Sequence, residues 1–252
     1  MNRAIFSARL ALSLFAAGAL AATAPVQANT DKETPGGPCA DGPGKGVGNP
    51  CKGNNGNPSP EGNAKEKVKY NPNPTPFTIS RPGNDRGAFI NQIGDANRAT
   101  IGQQASSQYA RIDQNGETNS ADVAQAGSAA HYATVNQTGD ANALSLTQGG
   151  SAVQVALLSQ QGNGNVMAVG QQGTSVSSGV AASQLGDNNA MTLAQSGDNN
   201  QALLTQNGSG NAMTASQTGG NNQLIWTQNG DYLSDLAISQ QGGAAIQVTQ
   251  SR

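Results

Sequence analysis

Histidine occurs once and cysteine twice in the 252 residues, while aromatic residues make up 4% and charged residues 11%. So little histidine and cysteine cannot furnish a usual metal centre, and no nucleophile constellation is visible; catalysis and bound cofactors are not expected. Hydrophobic residues, at 35%, fall below the roughly 45–50% apolar content of average domains, which excludes a large irregular core. Scarcity of charge also excludes the common disordered chain, in which low hydrophobicity accompanies high net charge. The formal charge of −2 divides into +2 for residues 1–28, +2 for 29–83 and −6 for 84–252. A basic nucleic-acid surface is therefore not expected.

What is present falls into three segments. Arg3 and Arg9 precede an apolar run from Leu10 to Ala22, as long as a signal-peptide core and too short to span a bilayer. Val26-Gln27-Ala28 offers a small-x-small cleavage site, so residues 1–28 read as an export signal rather than as a buried helix. Residues 29–83 are crowded with Pro, Gly, Asn and Lys, as in Asn71-Pro72-Asn73-Pro74-Thr75-Pro76. Such a composition buries too little apolar surface to offset chain entropy and predicts a disordered linker. Lys65, Lys67 and Lys69 read there as a solvated run. Cys39 and Cys51 also lie there; in an oxidising compartment they can close a small loop worth about 3 kcal/mol, the alternative being an intermolecular pair.

Residues 84–252 form a repeat array. Gln92, Gln114, Gln137, Gln160, Gln184, Gln206 and Gln228 recur every 22 to 24 residues. Each is followed two places later by a glycine, namely Gly94, Gly116, Gly139, Gly162, Gly186, Gly208 and Gly230. Between them recur Gln103, Gln125, Gln148, Gln171, Gln195, Gln217 and Gln240, and Gln250 closes the series. Two and four places before all fifteen anchors the residue is apolar, as Ala110 and Ile112 are before Gln114, or Leu224 and Trp226 before Gln228. Interleaved positions are mostly small or polar, so the period is two and the units are short β-strands. Glycine at each turn admits positive φ, and a following Asn can bond its own backbone. Strand, turn, strand, turn, stacked repeat on repeat, predicts an all-β, two-sheet solenoid of about seven repeats with a thin continuous core.

Buried amides cost about 1–3 kcal/mol each when unpartnered. Stacking identical amides at the strand spacing removes that cost, because each side-chain N–H donates to the copy beside it. The fifteen Gln anchors supply two such ladders. Asn97, Asn119, Asn142, Asn165, Asn189 and Asn211 supply a further column, which Leu233 breaks in the seventh copy. Five places after the second Gln of each repeat only Asn200 and Asn222 keep the Asn; Gln108, Ala130, Val153 and Val176 replace it.

Gln92, Gly94, Asn97 and Gln103 bring the pattern to a known type: residues 86 to 250 resemble the curlins, subunits of bacterial curli fibres, whose repeat pairs Gln-x-Gly-x-x-Asn with a second Gln about eleven residues on. The resemblance implies export through an outer-membrane secretion pore. It further implies polymerisation outside the cell, with itself, related curlin subunits and a nucleator, into a functional amyloid that supports adhesion and biofilm matrix. One departure stands out. Curlin repeats often carry Ser six places before the first Gln, where this chain has Arg86, Gln108, His131, Gln154, Ser178, Asn200 and Asn222.

Other classes fit the same residues less well. A surface-binding solenoid with paired outward threonines is excluded, because no strand carries Thr both one and three places before its Gln. A monomeric secreted adhesin would end in a charged or helical cap, whereas Ile246-Gln247-Val248-Thr249-Gln250 reads as an open strand edge. His131 reads as structural, and Asp95, Asp140, Asp187, Asp198 and Asp231 as solvated turn charges, since the spacing of calcium-binding β-rolls is missing.

Overall fold

The computed structural model describes residues 65–252, and every regular element in it is a strand. In chain order these are β1 (Lys67–Asn71), β2 (Gly87–Ile93), β3 (Arg98–Gln103), β4 (Tyr109–Asn115), β5 (Ser120–Gln125), β6 (Tyr132–Thr138), β7 (Ala143–Gly150), β8 (Gln154–Gln161), β9 (Val166–Gly173), β10 (Ser178–Leu185), β11 (Ala190–Ser196), β12 (Gln201–Asn207), β13 (Ala212–Thr218), β14 (Gln223–Asn229), β15 (Leu236–Gln241) and β16 (Ala245–Ser251). Even-numbered strands run β16-β14-β12-β10-β8-β6-β4-β2 in one sheet, with β1 added beside β16, and odd-numbered strands run β15-β13-β11-β9-β7-β5-β3 in the other. The described residues thus form a two-sheet β-solenoid of about seven turns.

Within the array every pairing is parallel and sets like on like: Gln137 opposes Gln160, Gln160 opposes Gln184, and Met191 opposes both Met167 and Met213. Period-two alternation explains the choice. A slip of one residue would turn Ile112, Val135 and Leu158 out to solvent and bury Asp113, Asn136 and Ser159. In the observed register, residues two and four before the Gln anchors from Gln103 to Gln250 meet in one cluster that includes Ile112, Leu158, Trp226, Val123, Leu146 and Met191. Trp226, at 0% exposure, is the largest side chain in it.

The ends differ from the middle for a simple reason. Ile90 in β2 is 47% exposed, although Ile112, its equivalent one turn on, is 0% exposed, because among the described residues no strand lies beyond β2.

One expectation is corrected here. The stretch expected to be linker up to residue 83 contains β1, which pairs antiparallel with β16, Val68 opposite Gln250 and Tyr70 opposite Val248. Lys-Val-Lys-Tyr-Asn alternates as a strand does and contains no proline, so it can supply a full set of hydrogen bonds to the edge of β16. Pro72, Pro74 and Pro76 then end it. From there residues 72–86 run back along one rim of the even-stranded sheet. Ile79 donates its amide to Gln201 Oε1 (2.9 Å), and Arg81 reaches the Ala130 carbonyl (3.2 Å) and lies over the Tyr132 ring. At the crossing a side chain on Gly179 would lie 2.6 Å from Ile79 Cβ. The bare glycine is what lets the strap pass there. Residues 1–64, with the expected export signal, Cys39 and Cys51, lie outside the described residues.

Candidate assembly site

The glutamines form two continuous amide ladders. In the even-stranded sheet Nε2 of each Gln donates to Oε1 of the next: Gln92 to Gln114 (2.6 Å), Gln114 to Gln137 (2.7 Å), Gln137 to Gln160 (2.8 Å), Gln160 to Gln184 (2.9 Å), and so on through Gln206 and Gln228 to Gln250. In the other sheet the same bond links Gln103, Gln125, Gln148, Gln171, Gln195, Gln217 and Gln240. From Gln103 to Gln240 each amide has a second N–H that crosses to the facing sheet, as Gln160 does to the Ala143 carbonyl and Gln125 to the Tyr109 carbonyl. A buried Gln therefore ties its turn both to the next turn and to the facing sheet, a second role that stacking arguments alone do not reveal.

The Asn column combines a partial side-chain ladder, in which Nδ2 of Asn142, Asn165 and Asn189 donates to Oδ1 of the preceding Asn (3.0–3.1 Å), with bonds to the turn backbones. Nδ2 of Asn97, Asn119, Asn142, Asn165, Asn189 and Asn211 donates to the carbonyl of the next turn's glycine, from Gly116 to Gly230, at 2.7–2.8 Å. Oδ1 accepts from the backbone amide of the next Asn, as Asn119 does from Asn142. In the seventh copy the Leu233 amide takes that place against Asn211 Oδ1. The column laces turn backbones together, and the turn glycines are its acceptors. Gly94, Gly139 and Gly186 all adopt positive φ, and their neighbours' carbonyls stack close over them.

A second buried polar column lies at the opposite turns. It consists of Gln108, His131, Gln154, Ser178, Asn200 and Asn222, each 0–1% exposed. Counting five places forward from the preceding Gln misses it at Ala130, Val153 and Val176, because those turns carry one or two extra residues. Counting six places back from the following Gln finds every member. The strands keep register and the turns absorb the difference in length. The positions six before the first Gln, Arg86 apart, are thus a column of their own, with Ser178 as its one serine.

His131 shows what the column requires. Its Nδ1 accepts from the Gln154 amide (3.1 Å), so Nε2 carries the proton and donates to the Ala126 carbonyl (2.9 Å). Burial pushes its pKa below the usual 6.5, opposed by the Ala126 and Gly150 carbonyls. The unfolded chain then binds a proton near pH 6.5 that the fold resists. The neutral histidine's contribution to stability is complete above about pH 6.5 and shrinks as pH falls from there toward the lowered pKa. Urea unfolding at pH 7.5 and 5.5 should therefore give a lower midpoint at the acid pH, and His131→Gln should flatten that difference; an unchanged difference would refute the assignment.

The turn aspartates are not simply solvated. Asp140, Asp187, Asp198 and Asp231 each accept, through Oδ1, a backbone amide of the turn stacked before them, those of Glu117, Asn163, Thr174 and Ser209 at 2.7–2.8 Å. The Ser175 and Thr174 amides hold the Asp198 carboxyl below its usual range. Among the described residues no three His, Cys, Asp or Glu side chains stand close enough together to hold a metal ion.

The two ends of the column are unlike. At the β2 end the ladder finishes in Gln92, whose amide donates onward and whose Oε1 receives no donor among the described residues. Phe89, Ile90 and Ile93 are exposed around it. At the other end the expected open edge of β16 is covered. Gln250 Nε2 donates to Glu66 Oε1 (2.6 Å), and Glu66 Oε2 accepts from the Ser234 amide and hydroxyl (3.0 and 2.8 Å). Burial raises the Glu66 pKa, but these hydrogen bonds and Arg252 outweigh it and hold the carboxyl below its usual range. β15, the last strand of the other sheet, has no strand beyond it among the described residues.

Residues 186–219, which contain β11, β12 and β13, match the curlin associated repeat. No curated protein and no solved structure matches the chain.

Proposed function

We propose that this curlin-repeat protein is a structural subunit of an extracellular, curli-like functional amyloid fibre, in which solenoids stack end to end and the fibre supports adhesion and biofilm matrix. The observation that carries the reading is the pair of amide ladders, which run through every turn in one direction, the even-stranded one ending at β2 in an exposed rung, Gln92, beside exposed apolar side chains. Such an edge is a template for another chain. The apolar run of residues 10–22 fits export, with the mature chain starting near Asn29. A secretion pore in the outer membrane, related subunits and a nucleator are the partners this reading implies, and the cell surface is its location.

A specific observation favours a second reading, a monomeric adhesin: β1 covers the β16 edge at one end of the column. One experiment separates the two. The chain from Asn29 onward, held at high concentration without cofactor, should form fibres with a cross-β reflection near 4.7–4.8 Å and bind a thioflavin-type dye. A soluble monomer persisting for days without dye binding would refute the fibre.

A further inference from the structure

Every rung of the even-stranded ladder points the same way, with Nε2 toward the β16 end and Oε1 toward the β2 end. A joint that continued the ladder would therefore set Gln92 Oε1 of one copy against Gln250 Nε2 of another, and the β2 edge of one against the β16 edge of the other. Both features of the β16 end are already occupied from within the chain. β1 holds the backbone edge across five residue pairs, and Glu66 Oε1 accepts from Gln250 Nε2 at 2.6 Å, as the Oε1 of a ninth glutamine in this ladder would. The mimic is incomplete. β1 is antiparallel, all five of its residues are exposed, and it covers β16 but leaves β15 uncovered. It thus holds its place with little apolar burial, while a second copy would cover both strands and bury Ile90 as Ile112 is buried.

We propose that Glu66 and β1 are a built-in cap on the β16 end, a stand-in for the next subunit that must leave before a second copy can dock its β2 end there. This rests on the fibre reading. Whichever fibre end grows, each joint of this polarity uses one β16 end, so the cap gates every addition. The strap has the means to let go without unfolding the column: among the described residues β1 pairs with β16 alone, and residues 72–86 remain attached to the rim through Ile79 and Arg81. Capping also explains why a chain with such an edge need not pair during export.

The test locks the cap in the chain from Asn29 onward. Lys69 and Thr249 are directly opposed in the β1–β16 pair, and directly opposed residues in an antiparallel pair lie within disulfide reach. Lys69→Cys with Thr249→Cys, in a Cys39→Ser, Cys51→Ser background, should close an intramolecular disulfide. Added to seeds of parent fibres, the oxidised protein should elongate at about a tenth of the rate of the same protein reduced, or less, because the competent fraction sets the rate. A second variant, Glu66→Ala with Val68→Pro, loosens the cap and should shorten the lag before fibres appear at least about three-fold. Equal rates for oxidised and reduced protein would overturn the cap while leaving the fibre intact, as would an unchanged lag in the loosened variant. Failure of the disulfide to close would overturn the β1–β16 pairing and the cap with it. If parent and variants all stay monomeric, the fibre reading falls and takes the cap with it.

Discussion

Replacing Gly162 by alanine is expected to destabilise the solenoid by about 3 kcal/mol or more, the upper end of what a strained backbone position costs, with a steric clash in addition. Gly162 has φ +112°, and a Cβ there would lie 2.2 Å from the Gly186 carbonyl oxygen and 2.8 Å from its carbon. Neither obstacle can be relieved locally. The conformation is one L-residues rarely adopt, and the blocking atom is backbone of the next turn, which is held in its turn by Asn165 Nδ2. To make room, two stacked turns must separate and give up the bonds that lace them. Gly170 supplies the control. It lies within β9 without a positive φ, and a Cβ added there would meet no atom within 4 Å. Gly170→Ala should change stability by less than about 1 kcal/mol, with the reduced freedom of the unfolded chain favouring the variant. Denaturant midpoints of freshly dissolved monomer measure both; equal shifts would refute the stacked-turn account.

The second large effect belongs to Gln160. It is 1% exposed, donates to Gln184 Oε1 and the Ala143 carbonyl, and accepts from Gln137 Nε2. Gln160→Ala orphans one donor and one acceptor in a buried column, at about 1–3 kcal/mol each, so a loss of about 2–5 kcal/mol is expected. Ser159, one residue earlier, points to the outer face and is partly exposed. Ser159→Ala should stay within about 0.5 kcal/mol of the parent. The same denaturant titration ranks the pair, and in fibres so does the denaturant needed to dissolve them. If Ser159→Ala weakens the protein as much as Gln160→Ala, the inward and outward faces have been exchanged.

The chain's own pattern determines the solenoid. Apolar residues two and four before every Gln, polar residues between them and glycine two after leave a period-two strand one way to bury its apolar face, and the spacing of 22 to 24 residues places like over like. The glutamine rungs, the Asn column and the turn glycines are legible for that reason. Legibility fails wherever local counting meets a turn of different length. His131, Gln154 and Ser178 belong to a buried column that a forward count sets at Ala130, Val153 and Val176, because the sheets hold register and the turns absorb the extra residues. The aspartates escape a local reading for a related reason: their partners are amides one full turn away, such as Asp187 for Asn163. What only the tertiary structure decided is the β16 end. Lys-Val-Lys-Tyr-Asn carries a weak strand pattern inside a Pro-rich stretch, and its partner is the last strand of the column. The edge that selects it exists only once all the turns have stacked, because only then do β16 and Gln250 present a row of unpaired donors and acceptors within reach of residues 66–71.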